Sequence, residues 1–357
     1  MPSALIHYFS GTGNSYHAAT IFERRLKEAG YEVQWQQVCR GTVPPVSAAD
    51  LHLFAFPVYA CDLPDIMARY MWKLPPGKGA KAAIIATNGS LHPTTRIPGA
   101  QGDPGWSFDH ASLILRLKGY EIVLADAAPY PANVTVAIPT PKMAWEPKIM
   151  GIGDQRVDML AQRLARGERS VRHNLLLLAL YLPFGLAYGL VGRHIIGKLY
   201  VADGKCNGCG TCVRSCPTGS IRITAGRPGW DWRCQGCMRC INACPRHAIN
   251  TSLPRLAVML AISFMPTSVV LSALSLVNFA LPAGMAGVAL GLLVEIAAFV
   301  VSIYIADKVL FLLERVPVIR SILSVSHNWW FRRYMHPGFR AELARVAAEK
   351  QGPKGHT

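Results

Sequence analysis

The sequence predicts an α/β doubly wound parallel sheet, a small cysteine-rich α+β domain and a helical membrane hairpin. Three observations carry this prediction. Short apolar runs alternate with amphipathic stretches through residues 1–130. Eight of the ten cysteines lie within residues 203–250. Residues 256–306 contain one charged side chain, Glu295. Each of these regions is taken below in chain order.

The first region is predicted to hold five buried strands, because its apolar runs are short and rich in β-branched and aromatic residues. Strands that alternate with helices form a mostly parallel sheet covered on both faces. The predicted strands are residues 4–9, 32–38, 51–56, 81–87 and 121–126, and the predicted helices are residues 15–30, 63–72 and 108–119. We expect residues 131–150 to be irregular and residues 151–170 to form a polar helix.

The charge distribution separates the classes of partner. The 357 residues carry a formal net charge of +16, but residues 1–170 hold 17 basic and 14 acidic side chains. A nearly balanced α/β domain does not indicate a nucleic-acid surface, so we expect no nucleic-acid partner. The excess lies in the cysteine-rich and apolar parts, as in a membrane protein with basic flanks. The first residues lack a basic and apolar secretory signal, so the cysteines are expected to be reduced metal ligands.

The cysteines form two similar halves, each of the pattern C-x2-C-x2-C-x3-C-P. The run resembles that of bacterial two-cluster ferredoxins, in which the fourth cysteine ligates the other cluster. Two zinc sites are the alternative, but zinc knuckles use C-x2-C pairs with longer spacers. The expected ligand sets are Cys206, Cys209, Cys212 and Cys244 for one [4Fe–4S] cluster, and Cys234, Cys237, Cys240 and Cys216 for the other. Cys39 and Cys61 are expected to be ordinary buried thiols.

A Gly/Ser/Thr loop at residues 9–15 separates the first predicted strand from the first predicted helix. Gly11 and Gly13 free the backbone to curl, and the helix N-terminus offers unpaired N–H groups, which together suit a phosphate. No Lys follows the second glycine, so the loop is not that of nucleoside-triphosphatases. A capped strand–helix turn without a ligand is the alternative for such a short motif.

In its context the loop resembles the FMN-phosphate loop of flavodoxins, whose sheet order is 2-1-3-4-5. The resemblance covers about residues 1–160 and implies that the loops after the third and fourth strands hold the flavin ring. Tyr59 would then stack on the ring, although a core tyrosine at a strand end is the alternative. The residues that the resemblance assigns to FMN are Ser10, Gly11, Thr12, Gly13, Asn14, Ser15, Pro57, Val58, Tyr59, Thr87, Asn88 and Gly89.

Residues 1–250 as a whole resemble a fused family in which a flavodoxin-like domain precedes a bacterial-type two-cluster ferredoxin. The resemblance implies FMN and two [4Fe–4S] clusters in one electron-transfer chain, and it supplies no substrate. The expected division is residues 1–160 for the FMN domain, 161–200 for a connecting helix and apolar interfacial segment, 201–252 for the cluster domain, 255–306 for two transmembrane helices and 307–357 for a basic amphipathic tail.

The apolar C-terminal region is predicted to span a membrane twice, through residues 256–279 and 284–305, since a span needs about 20 apolar residues. Basic flanks at both ends place the redox domains on the cytoplasmic side of the cytoplasmic membrane. A buried core hairpin is the alternative. Glu295 is either a proton acceptor beside a quinone or a protonated carboxyl bonded across the hairpin. Residues 173–192, 310–325 and 329–334 are expected to lie at the membrane interface, and His327 and His336 are expected to be interface residues.

Three functions remain open at this stage. The first is a membrane-anchored electron-transfer protein that exchanges electrons with a redox partner protein, either a ferredoxin-like donor or a membrane oxidoreductase. The second is a reductase of a quinone or another lipid-soluble substrate. The third is a redox sensor. No acid–base pair can be read from the sequence, and no G-x-G-x-x-G nicotinamide fingerprint occurs, which favours the first function and leaves catalytic residues unassigned.

Overall fold

The α/β domain of the computed structural model is a six-stranded, all-parallel sheet. The structure describes residues 1–45, 49–94, 102–173, 181, 185, 188–263 and 285–340. The strand order is β2-β1-β3-β4-β5-β6, which is the predicted order with one added edge strand. The strands are β1 (Ser3–Tyr8), β2 (Glu32–Gln37), β3 (Leu51–Pro57), β4 (Lys81–Ser90), β5 (Glu121–Pro131) and β6 (Ser170–Val171).

Four helices cover the two faces of this sheet, as expected for parallel strands joined by crossovers. One face packs against α1 (Asn14–Glu28) and α4 (Glu146–Ala165), and the other packs against α2 (Asp65–Trp72) and α3 (Ser107–Leu117). All five predicted strands and the helices between them are therefore confirmed. The predicted irregular stretch is shorter than expected, because α4 begins at Glu146 after a 3-10 turn at Met143–Trp145.

The cysteine-rich domain contains two antiparallel strand pairs and short helices. Its core is built largely from cysteines and a few apolar side chains, including Trp230 and Ile241. Strand β7 (Tyr200–Ala202) pairs with β10 (Ile249–Thr251), and β8 (Ile221–Thr224) pairs with β9 (Arg227–Trp230). The helices are α5 (Arg193–Lys198), which follows a π-helical turn at Tyr188–Gly192, α6 (Thr211–Ser215) and α7 (Arg239–Ala243).

The C-terminal part contains α8 (Leu253–Ser263), α9 (Met285–Leu313) and α10 (Pro317–Leu323). Arg255 at the start of α8 pairs with Glu314 just after α9, at 2.6 Å, so these two helices run antiparallel. Among the described residues one helix, α9, is long and apolar enough to cross a membrane. Its stretch Ile296–Leu313 is strongly apolar, and few of its residues are buried. Most of the first predicted span lies in residues 264–284, outside the described residues.

Residues 326–340, here called the strap, depart from the prediction. The aromatic and basic run at 329–334 is expected at the membrane interface, but Phe331 and Tyr334 are buried against the rest of the protein. Arg332 pairs with Glu146 at the start of α4. Only Trp329 and Trp330 fit the expectation, being 71% and 62% exposed. The strap differs because its polar groups find partners on both the α/β domain and the cysteine-rich domain, which a sequence pattern cannot reveal.

Candidate functional site

The loop between β1 and α1 is buried and held by its own polar groups. The Ser10 hydroxyl accepts a hydrogen bond from the Gly13 N–H at 3.0 Å, and Ser15 Oγ lies 2.7 Å from Thr87 Oγ1. Gly13 has φ +110° at the start of α1, a left-handed conformation that favours glycine, and no side chain caps that helix end. The first-turn N–H groups therefore have no intrahelical acceptor, which suits the loop to an anion.

A cavity of about 380 Å³ opens beside this loop. It lies at the carboxyl ends of β1, β3 and β4, at the point where the strand order reverses, which is where ligands bind in this fold. We call it the switch-point cavity. Nine of the twelve residues predicted to bind FMN line it, while Ser10, Gly13 and Ser15 support the loop from behind. The nine are Gly11, Thr12, Asn14, Pro57, Val58, Tyr59, Thr87, Asn88 and Gly89.

Tyr59 forms one wall of the switch-point cavity. Its ring meets the Phe9 ring edge-on, with centroids 6.2 Å apart. Burial, and then the neighbouring Cys237 thiol, raises the pKa of Tyr59 well above its ordinary value. The phenol therefore stays neutral, and its ring can cover a flat aromatic group in the cavity.

The opposite wall comes from the cysteine-rich domain, through Tyr188, Ile196, Gly236 and Met238. Sequence reasoning missed these four residues. A Cβ on Gly236 would lie 2.9 Å from the Tyr188 hydroxyl, so only glycine allows this approach. Tyr188 lies in the segment predicted to be interfacial, 173–192, most of which is outside the described residues. At its end the segment turns into the cavity instead.

The two domains meet directly behind the loop. A Cβ on Gly11 would lie 2.5 Å from the Cys237 carbonyl oxygen, so this glycine is required for the domains to touch. Arg239, which is 1% exposed, donates to the carbonyl oxygens of Gly11 at 3.0 Å and of Ser10. It also donates to the Ser215 carbonyl at 3.0 Å. One buried cation thus joins the loop to the cysteines.

The strap closes the loop from outside. The His336 N–H donates to the Thr12 carbonyl at 2.7 Å, and the Tyr334 hydroxyl donates to Asn14 Oδ1 at 2.7 Å. The His336 ring stacks on His17 with centroids 4.1 Å apart, and Nε2 of His327 lies 3.0 Å from the Val136 carbonyl. Both histidines therefore lie between segments of the protein.

The eight clustered cysteines lie in two groups that mix the sequence halves. Cys206, Cys209 and Cys212 line one small cavity together with Cys244 from the second half. Burial raises the pKa of Cys212 to about 11, and the charge of Cys244 adds to the rise. We call this group the first cysteine set.

The second cysteine set contains Cys216 with three cysteines of the other half. Burial raises the pKa of Cys234, and the charges of Cys237 and Cys216 add to the rise. Burial also raises the pKa of Cys240, and the charges of Cys234, Cys237 and Cys216 add to that rise. Within the described ranges, no three His, Cys, Asp or Glu side chains converge closely enough to hold a single metal ion.

Three remaining predictions concern isolated residues. Cys39 and Cys61 belong to neither cysteine set, but both are partly exposed rather than buried. Cys39 Sγ lies 3.2 Å from the Thr42 hydroxyl. Glu295 lies within α9, and its side chain is outside the described part of the chain.

Comparison with known proteins identifies the cysteine-rich part. Residues 198–245 match the 4Fe-4S dicluster domain family. The chain carries a 4Fe-4S dicluster domain. Its eight clustered cysteines lie between residues 206 and 244. No curated protein matches the chain.

Solved structures resemble the α/β domain at low identity. A short-chain flavodoxin associated with a bacterial microcompartment is 15% identical and covers 47% of this chain and 99% of its own, with a TM-score of 0.32. The flavodoxin of Megasphaera elsdenii is 22% identical and covers 43% of this chain and 98% of its own, with a TM-score of 0.30. An azoreductase of Bacillus anthracis is 13% identical and covers 46% of this chain and 100% of its own, with a TM-score of 0.32. At these values the flavodoxin-like assignment rests on the observed sheet order.

Proposed function

We propose that this protein is a membrane-anchored electron-transfer protein that passes electrons between FMN in the switch-point cavity and two [4Fe–4S] clusters. The observation that carries the proposal is the contact between Gly11, in the predicted phosphate loop, and Cys237, a predicted cluster ligand. A flavin beside this contact would lie next to the second cluster. Flavins exchange one or two electrons, whereas clusters exchange one, so the pair can split or gather electrons.

The residues of the switch-point cavity fit FMN. The loop after β1 offers backbone N–H groups for the phosphate, and Tyr59 offers a flat neutral ring for the isoalloxazine. Asn88 and Gly89 lie at the end of β4, where backbone and amide groups can meet the pyrimidine edge. The walls from both domains keep water from the ring, which protects a reduced flavin.

The cysteine grouping supports crossed ligation. The first cluster would be held by Cys206, Cys209, Cys212 and Cys244, and the second by Cys216, Cys234, Cys237 and Cys240. The two sets differ in exposure: the first contains the exposed Cys209 and one buried cysteine, Cys212, whereas three cysteines of the second are buried, namely Cys216, Cys234 and Cys240. Electrons would therefore run between the flavin and the buried second cluster, and reach a redox partner protein at the exposed first cluster.

The membrane anchor is supported by α9. About 20 residues of this helix precede Asp307, which pairs with Lys198 of the cluster domain at 2.8 Å. At 1.5 Å per residue this length is about 30 Å, enough to cross the hydrocarbon layer. Leu293, Ile296 and Val300 on this part are more than half exposed, as expected for contact with membrane lipid. We place the redox domains on the cytoplasmic side of the cytoplasmic membrane, following the basic flanks.

Cofactor analysis tests the proposal. Protein purified anaerobically in detergent should contain about eight irons and one FMN per chain. After rapid mixing with a low-potential one-electron donor, cluster bleaching should precede flavin bleaching. In the Gly11→Val variant flavin bleaching should lag further behind cluster bleaching, because the valine side chain would collide with the Cys237 carbonyl and push the two domains apart. A Gly30→Val control has open space around it, although its φ of +83° adds local strain. Absence of flavin from the native protein would refute the proposal.

A further inference from the structure

A second cavity, of about 290 Å³, lies where the base of α9 meets the cluster domain. We call it the helix-base cavity. Its walls come from α5, from the β8–β9 hairpin and from the last turns of α9. It is separate from the switch-point cavity, with which it shares no lining residue. The lining includes Gly197, Lys198, Thr224, Trp230 and Trp232.

A single residue, Gly197, separates the helix-base cavity from the second cysteine set at the inner wall. A Cβ on Gly197 would lie 3.0 Å from Cys234 Sγ. Trp230, another residue of this wall, packs in the same buried cluster as Cys240. A molecule in this cavity would therefore be within one side chain of the second cluster.

The cavity wall combines flat rings with hydrogen-bond donors. Lys198 Nζ lies 4.7 Å from the centre of the Trp232 ring. The Tyr304 and Trp232 rings are stacked, with their centroids 6.4 Å apart. The Trp232 Nε1 atom is buried and has no hydrogen-bond partner among the described residues. Such a wall suits a flat conjugated headgroup with carbonyl oxygens.

The charges of the cavity argue against a phosphate headgroup. Four basic side chains line it, but three carboxylates oppose them. Lys198 is paired with Asp307, and Arg255 is paired with Glu314. A site for an anionic lipid would leave more positive charge uncompensated. Outside the lining, the same stretch of α9 carries apolar side chains that are about half exposed, namely Tyr304, Ile305 and Leu312.

We propose that the helix-base cavity binds a lipid-soluble quinone and reduces it with electrons from the second cluster. The inference rests on the proposed function, because it needs that cluster. The quinone gains two electrons and two protons and becomes the quinol. The second cluster is oxidised by one electron in each of two steps, reduced flavin restores both electrons, and the protons come from water at the open side of the cavity.

A cavity-filling variant tests this proposal in the intact protein. Thr224 is exposed at the mouth of the helix-base cavity, so Thr224→Phe should narrow the entry without disturbing the core. Ser321→Phe, on the exposed face of α10, is the matched control. Binding of a short-tailed ubiquinone analogue is followed by quenching of tryptophan fluorescence, and reoxidation of pre-reduced clusters is followed by absorbance.

We expect Thr224→Phe to weaken binding and slow reoxidation by at least about tenfold, with the control unchanged. Pre-reduced protein stripped of flavin but retaining both clusters should still reduce one equivalent of quinone, with one electron from the second cluster and one passed on from the first. Full cofactor content with unchanged quinone kinetics in Thr224→Phe would overturn the cavity proposal alone. Displacement of the quinone by glycerol phosphate would overturn it in favour of a lipid headgroup. Iron content far below eight per chain would instead overturn the proposed function.

Discussion

Arg239 should set the reduction potential of the second cluster. Its guanidinium is buried, lies 3.0 Å from the Ser215 carbonyl and so adjoins Cys216. A positive charge on the order of 7 Å from the cluster, at an effective dielectric constant of about 20, stabilises the reduced cluster by about 2 kcal/mol. For a one-electron couple this equals about 90 mV. Arg239→Met removes the charge and should lower the potential of the second cluster by about that amount.

The assay is an anaerobic redox titration followed by electron paramagnetic resonance, which resolves the two clusters. Arg239→Lys keeps the charge but loses most of the hydrogen bonds, so it should leave the potential within about 30 mV of the native value. Arg214→Met is the matched control beside the first set, since Arg214 donates to the Cys209 carbonyl at 3.0 Å in an exposed loop. An unchanged second-cluster potential in a folded Arg239→Met protein would refute this reasoning.

Three further predictions concern other parts of the protein. Tyr334→Phe removes one hydrogen bond from the loop and should speed FMN release up to about tenfold, measured by fluorescence recovery, whereas Trp329→Phe on the exposed strap should not. Cys216→Ser should remove the second cluster and Cys244→Ser the first, as seen by resonance spectra; the reverse result would exclude crossed ligation. Burial lowers the pKa of His52 to about 4. Between pH 6.5 and 4 the imidazole is then protonated only in the unfolded state. The free energy of unfolding should therefore decrease as the pH is lowered through this window, by up to about 1.4 kcal/mol per pH unit. A His52→Gln variant should show a shallower dependence on pH in urea titrations.

The parts that sequence reasoning predicted are those with local signals. The strands, the loop at residues 9–15 and each half of the cysteine pattern occupy fewer than 20 consecutive residues, because periodicity and ligand spacing act over that range. The second wall of the switch-point cavity has no such signal. In the sequence, Tyr188 belongs to an apolar segment, and only the packing of the two domains shows that it lines a cavity.

The buried arginine and the strap escaped prediction for the same physical reason. Arg239 could be predicted to offset cluster charge, but its acceptors on Ser10 and Gly11 lie more than 220 residues away in the chain. The bond from Tyr334 to Asn14 spans 320 residues. Contacts at such separations depend on how domains dock, and the residues involved are individually ordinary. An aromatic and basic run is equally suited to a membrane interface and to a domain interface.

The position of the second cysteine set determines the route of electrons in the proposed function. On one side Cys237 adjoins the switch-point cavity, and on another Cys234 adjoins the helix-base cavity. A carrier that only relays electrons in a line needs two contacts, one for the donor and one for the acceptor. The first cysteine set, with its exposed Cys209, already supplies the second contact. A third contact at the base of the apolar helix is therefore best explained as a branch. Under the proposed function, the second cluster would share electrons between a soluble partner and a membrane-side acceptor, and the flavin would supply them in pairs.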